Sequence, residues 1–115
     1  MKPGKYNIKF YRATTLDITA TWLIDSVPVD MSSYTGDMQV RVTPDSGTVV
    51  TEFTTENGGL ILNATTGAIE IFMSADDTAL LPLGEYQYDL NVTSDQGVVT
   101  KLLRGGFVVL DPVTE

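Results

Sequence analysis

The clearest pattern along the chain is an alternation of apolar and polar residues between positions 86 and 93. The apolar positions are Tyr86, Tyr88, Leu90 and Val92. A period of two is typical of a β-strand with one buried and one solvated face. A turn sequence, Ser-Asp-Gln-Gly, follows at residues 94–97, and the apolar residues after it begin a return strand. The pattern predicts a hairpin at the centre of an all-β fold.

The same alternation recurs in shorter segments, each bounded by turn-forming residues. The further predicted strands are residues 5–12, 16–24, 37–43, 48–54, 59–62, 68–73 and 104–110. Between two of them, residues 44–47 read Pro-Asp-Ser-Gly, a sequence typical of a β-turn. One segment is helical in character, because Ser74 can cap a first turn that carries two aspartates. Seven to nine short strands predict an antiparallel β-sandwich with one short helical turn near residues 75–81.

The phase of the alternation predicts which side chains lie inside. Tyr6 and Val42 fall on the apolar faces of their strands, and so does Trp22, which we therefore assign to the core rather than to a binding site. The paired glycines Gly105 and Gly106 predict a bulge or kink in the last strand.

Composition narrows the function classes. The chain has 115 residues, enough for one domain with a core, and it has neither cysteine nor histidine. Disulfides and thiolate chemistry are thereby excluded, and the commonest general base and zinc ligand are missing. No nucleophile–base pair is apparent. We expect a protein that is not an enzyme and that has no catalytic residues, cofactor or metal.

Calcium binding is the remaining metal hypothesis. It would require Asp76 and Asp77 to converge with Asp25, Asp30 or Asp95. Their spacing matches no calcium-binding loop, so we interpret them as surface acids and helix-capping residues.

The net charge of −8 is unevenly distributed along the chain. The first sixteen residues hold four of the seven basic residues and no acid. The rest of the chain holds all of the acidic residues, and so strong a negative charge argues against a nucleic-acid partner. The basic start has two interpretations: a solubilised edge strand, or an arm that docks on an acidic patch of a neighbouring subunit. The candidate interface residues from this segment are Lys5, Lys9 and Arg12.

Tyr11 and Tyr34 are expected to lie off the apolar face of the core, and they are the other two candidate interface residues. A half-buried loop position is the alternative for either ring. Together with Trp22 they could also form a stacking platform for a sugar, although the alternation does not favour several exposed aromatics on one face.

No apolar run is long enough to cross a membrane, and the first residues lack the apolar centre of a signal peptide. We therefore expect synthesis in the cytoplasm and no membrane partner.

The order of features resembles small structural proteins of tailed bacteriophages. A Pro-Val-Asp-Met segment at residues 28–31 precedes a strand, and a second strand follows Gly67. A short acidic helical turn then leads into Gly-Glu-Tyr-Gln-Tyr-Asp-Leu at residues 84–90. This pattern, over about residues 15–110, is similar to the N-terminal domain of phage baseplate upper proteins and to stand-alone phage Ig-like proteins.

The resemblance implies a single Ig-like domain over residues 1–115, with a flexible basic N-terminus at 1–5 and a C-terminal tail at 111–115. It implies a virion structural protein made in the host cytoplasm, present in many copies or as a homo-oligomer, with other virion proteins as partners. Baseplate upper proteins carry a long additional C-terminal part, so we expect an adaptor module of the tail, baseplate or neck rather than a full fibre. The alternative is a capsid decoration protein on the head, and a carbohydrate-binding module is more remote.

Overall fold

The computed structural model describes residues 4–43 and 48–111. These residues form eleven strands and one short helix. The first six strands are β1 (Gly4–Lys5), β2 (Ile8–Tyr11), β3 (Leu16–Thr21), β4 (Leu23–Ile24), β5 (Val27–Pro28) and β6 (Thr35–Arg41). The remaining elements are β7 (Val49–Thr54), β8 (Leu60–Leu62), β9 (Ala68–Met73), α1 (Ala75–Thr78), β10 (Gly84–Thr93) and β11 (Val99–Leu110).

Two sheets face each other. The large sheet has the order β1-β11-β10-β6-β7, with β2 also paired to β11, and the small sheet has the order β3-β9-β8. All pairs are antiparallel except those of β1 and β2 with β11, which are parallel. The order corresponds to strands G-F-C-C′ and B-E-D of an immunoglobulin domain. The fold is an Ig-like antiparallel β-sandwich, as the sequence predicted, and eight of the described strands have three or more residues.

The core lies between the inner faces of the two sheets. Phe107 is at its centre, with ring centroids 5.3 Å from Phe10 and 6.2 Å from Phe53, both in edge-on geometry. Such aromatic pairs add about 0.5–1.5 kcal/mol beyond the burial of their area. The alternating residues of the predicted central strand, Tyr88, Leu90 and Val92, are buried. The sequence therefore identified the inner face of β10 correctly.

Trp22 is buried, which confirms its assignment to the core, but it divides the strand predicted for residues 16–24. Its backbone N–H donates to the Gly67 carbonyl at 2.8 Å, and its own carbonyl accepts from the Val29 N–H at 3.1 Å. The chain therefore leaves the small sheet and forms a separate hairpin from β4 and β5. Asp25 and Ser26 at its tip have φ of 51° and 67°, as a two-residue type I′ turn requires.

The predicted helical turn is present but short. Ser74 caps α1 by accepting a hydrogen bond from the Asp77 N–H at 3.2 Å. The buried Thr78 hydroxyl donates to the Thr14 carbonyl at 2.7 Å, so α1 is tied to the loop that precedes β3.

The N-terminal segment crosses β11 at a glycine. The Tyr6 N–H donates to the Arg104 carbonyl at 3.0 Å, and the Tyr6 carbonyl accepts from the Tyr88 hydroxyl at 2.7 Å. The Asn7 side chain accepts from the Gly106 N–H at 2.9 Å. A Cβ at Gly105 would lie 2.1 Å from the Tyr6 carbonyl oxygen, closer than any real contact. The segment can pass here only because position 105 has no side chain.

This crossing overturns two predictions. Tyr6 is 47% exposed rather than inward, because β1 ends at Lys5 and the hydrogen bonds of Tyr6 to the sheet are made by its backbone. The last strand does contain a bulge, but not at the glycine pair: the pairing with β10 is continuous through both glycines, and the register shift lies opposite Leu90 and Asn91, where Leu102 is the extra residue.

Val42 was also assigned wrongly to the core. It is 47% exposed because β6 ends at Arg41, so the alternation does not continue to it. The turn predicted at residues 44–47 lies outside the described residues, as do residues 1–3 and 112–115.

We predict that Gly105→Ala lowers the free energy of unfolding by about 1–3 kcal/mol, because the new methyl group must displace the Tyr6 backbone. The adjacent Gly106→Ala is the matched control, since a Cβ there would meet its nearest neighbour, Asn7 Oδ1, at an ordinary 3.6 Å. It should change stability by no more than about 0.5 kcal/mol. Urea unfolding measures the free energy of unfolding of both variants. Equal stability of the two would contradict the close approach of the Tyr6 backbone to Gly105.

Candidate functional site

The outer face of the large sheet carries a row of polar side chains that runs across its strands. Lys5 of β1 pairs with Arg104 of β11, which pairs with Asp89 of β10. Asp89 pairs with Gln39 of β6, and Gln39 in turn with Glu52 of β7. These residues alternate with the buried ones along each strand, so they face solvent. The row begins with cations at the β1 edge and ends with an acid at the β7 edge.

A groove of about 440 Å³ lies on this face and contains four of the seven basic residues of the chain. Its cations are Lys5, Arg41, Lys101 and Arg104, and Asp89 is its one acidic residue. Lys101 Nζ lies 3.2 Å from Asp89 Oδ2, and Arg41 donates a hydrogen bond to the Gln39 side-chain oxygen. A concentration of cations in so acidic a protein suits a ligand or surface that carries carboxylates or other anionic groups.

The outer face of the small sheet has the opposite character. Its side chains are Asp17, Thr19 and Thr21 of β3, Ala68, Glu70 and Phe72 of β9, and Ile61 of β8. No lysine or arginine occurs in residues 13–40 or 42–100, which include this whole sheet. The hydrogen bond and the charge of the neighbouring Asp17 carboxyl raise the pKa of Glu70. The large sheet therefore carries cations together with acids on its outer face, whereas the small sheet carries only the acids Asp17 and Glu70.

Asp37 lies near two other acids, Glu52 and Asp89, on the outer face of the large sheet. Burial raises the pKa of Asp37, and the nearby Glu52 carboxylate raises it further. Arg41 acts in the opposite direction. The charge on Asp37 is therefore unfavourable in the folded state.

The structure brings four of the five predicted interface residues to one edge of the large sheet. Lys5 lies in β1, Lys9 and Tyr11 lie on the outward side of β2, and Arg12 follows β2 with its N–H bonded to the Leu110 carbonyl at 2.9 Å. This is the edge-strand position that the sequence predicted for the basic segment. Whether these residues form an interface stays a prediction.

The fifth residue, Tyr34, is elsewhere. It is half-buried and packs edge-on against Trp22, with ring centroids 5.8 Å apart, so the half-buried alternative describes it. It immediately precedes β6, at the opposite end of the large sheet from Tyr11. Tyr11, Tyr34 and the buried Trp22 therefore do not share an exposed face.

Sequence reasoning missed the groove because its residues come from distant segments. Arg41, Lys101 and Arg104 are separated along the chain and meet only through the pairing of β6, β10 and β11. One signal was present: Arg41 falls on the polar phase of its strand, so its outward direction could have been predicted.

Two apolar surfaces were also not predicted. Leu23, Ile24 and Val27 are exposed on the β4–β5 hairpin, which belongs to neither main sheet. A second groove, of about 520 Å³, lies between β7 and α1 and includes Phe72 and Leu80. Exposed aliphatic residues grouped in this way are typical of interaction surfaces.

Within residues 4–43 and 48–111, no group of three or more acidic side chains is arranged to hold a metal ion. In the same part of the chain, none of the helical structure has the length and apolarity needed to cross a membrane.

Strand order and packing define the class of this protein as an Ig-like β-sandwich domain. No protein-family model and no curated protein matches the chain. Among solved structures, extracellular domains 3–5 of Drosophila OTK are similar, with 14% identity and a TM-score of 0.40. The alignment covers 96% of this chain and 34% of that chain. The chain thus spans about a third of that structure, and a likeness of this degree carries no functional argument.

We predict that Asp37→Asn raises the melting temperature at pH 7. A carboxyl whose pKa is raised by folding loses stability as the pH rises from its unfolded to its folded pKa, and the amide removes this loss. The gain should shrink towards pH 3, where the Asp37 carboxyl is mostly protonated in both states. Thermal unfolding at the two pH values measures it, with Asp95→Asn in the exposed 94–97 turn as the control. A gain that is independent of pH would contradict this explanation.

Proposed function

We propose that this protein is a non-enzymatic structural component of a tailed-phage virion, acting as an Ig-like interaction module of the tail, baseplate or neck. Capsid decoration on the phage head is the second candidate within the same class. A carbohydrate-binding module is more remote, because the three aromatics considered for a sugar platform do not share an exposed face.

The observation that carries the proposal is that the two outer faces of the sandwich differ in charge, because the cations of the described strands all lie on the large sheet. One face presents a cationic groove, and the other presents Asp17 and Glu70 without a cation in its strands. A domain with two unlike faces can contact two different neighbours at once. This is what an adaptor between virion proteins must do, and a symmetric particle repeats each contact many times, so weak contacts gain avidity.

The edge strands support the same proposal. Lys5 and Lys9 of the N-terminal segment are held on the large sheet, where Lys5 lies beside Arg104 and Lys9 beside Val108. These charges are therefore presented on an ordered surface. The exposed aliphatic residues of the β4–β5 hairpin offer a further contact at a different place on the domain.

Quantitative mass spectrometry of purified particles tests the proposal, with the major capsid protein as the internal standard. The particles are those of a tailed phage whose genome encodes this chain. We expect a few to a few tens of copies per particle, in multiples of three or six as the symmetry of tails requires. A stoichiometry near that of the capsid protein would instead favour head decoration. Absence of the chain from intact particles would contradict the virion proposal.

A further inference from the structure

The cationic groove and the acidic face lie on opposite sides of the same domain. The groove is on the outer side of the large sheet, and the acidic face is on the outer side of the small sheet. We infer that the groove of one copy of this chain receives the acidic small-sheet face of a second copy, so that copies associate front to back. This self-association goes beyond the proposed function, since it is a property of the purified chain and needs no virion.

The groove has cations available for an external partner. Lys5 and Arg104 are neighbours across the β1–β11 pair, and both are exposed. Within the described residues neither side chain forms an ion pair, whereas the one acid of the groove, Asp89, is already engaged by Lys101. A carboxylate from outside would therefore meet Lys5 and Arg104 without displacing an internal partner. Arginine also offers paired N–H donors that match the two oxygens of a carboxylate.

The small-sheet face offers the complementary groups. Asp17 and Glu70 are diagonal neighbours on β3 and β9, and the pKa of Glu70 is raised by Asp17. A cation placed between the two carboxylates would relieve this repulsion. Phe72 and Ile61, which are 37% and 52% exposed, flank the acids and provide apolar area around a charged centre. An interface with charges surrounded by apolar contacts excludes water and strengthens the ion pairs.

The dimensions of the domain permit the contact. Its Cα extents are 45 × 27 × 25 Å, so one face of the sandwich can accommodate the ~800 Å² per partner of a standard interface. The net charge of −8 opposes association of two copies over long range. At physiological salt, however, the Debye length is only about 8 Å, so distant charges are screened while contacting groups still interact.

A front-to-back contact uses two different surfaces, so it is heterologous. Heterologous contacts build rings when the rotation between copies closes, and open stacks when it does not. A copy that lacks one of the two surfaces can still bind through the other. This property separates the proposed contact from a symmetric dimer.

The test uses two variants that each neutralise one face. Lys5→Gln with Arg104→Gln removes the free cations of the groove, and Asp17→Asn with Glu70→Gln removes the acids of the small sheet. Sedimentation velocity is measured at about 0.15 M salt, where the screening length is about 8 Å, and again at 1 M salt, where it is about 3 Å. Circular dichroism checks that each variant is folded.

We expect the wild type to associate at the lower salt and to dissociate at the higher salt. Each variant alone should associate about tenfold more weakly than the wild type, as the loss of two exposed ion pairs implies. An equimolar mixture of the two variants should recover association but stop at a dimer, because only one intact pair of surfaces remains.

Matched controls remove the same charge from positions outside the two proposed surfaces. Lys9→Gln with Arg12→Gln changes the N-terminal segment outside the groove, and Glu56→Gln with Asp95→Asn changes two exposed turns. Both should associate as the wild type does. A wild type that stays monomeric at 100 µM in the lower salt would overturn the inference, and so would a mixture that stays monomeric. Neither result bears on the virion proposal, which the mass spectrometry of particles tests separately.

Discussion

The structure depends on one close approach, that of the Tyr6 backbone to Gly105. The Tyr6 carbonyl occupies the space where any other residue at position 105 would place its Cβ, and the Tyr88 hydroxyl donates a hydrogen bond to that carbonyl. Burial raises the pKa of Tyr88, so this hydroxyl keeps its proton and remains a donor. The contact joins the N-terminal segment to the two longest strands of the large sheet, β10 and β11.

Because this contact fixes the register of the N-terminal segment, it also determines where the charges lie. With Tyr6 on Arg104, Lys5 lies beside Arg104, and Lys9 lies on the outward side of β2. Lys5 and Lys9 are thereby added to the cations of β6 and β11 on one face. The small sheet contains no lysine or arginine and remains acidic on its outer face. Packing at one glycine is thus linked to the charge difference between the two faces, on which both proposals rest.

The sequence predicted those parts of the fold that depend on local periodicity. The inner face of β10, the burial of Trp22, the Ser74 cap and the β-sandwich could all be recognised from alternation and turn chemistry. The role of Gly105 could not, because it depends on a residue 99 positions away, and a glycine in a strand equally indicates a bulge. The groove was hidden for the same reason: its cations meet only through long-range strand pairing.

Amide hydrogen exchange measured by NMR tests the central contact most directly. The Tyr6 N–H is bonded to the Arg104 carbonyl, and the Gly106 N–H is bonded to the Asn7 side chain, so both amides report on the docked segment. If the segment is an integral part of the sheet, these amides exchange as slowly as those between β10 and β11, through opening close to the global free energy of unfolding. Exchange at the rate of an unprotected peptide, with β10 still protected, would show that the segment is not held at Gly105 and would contradict the account.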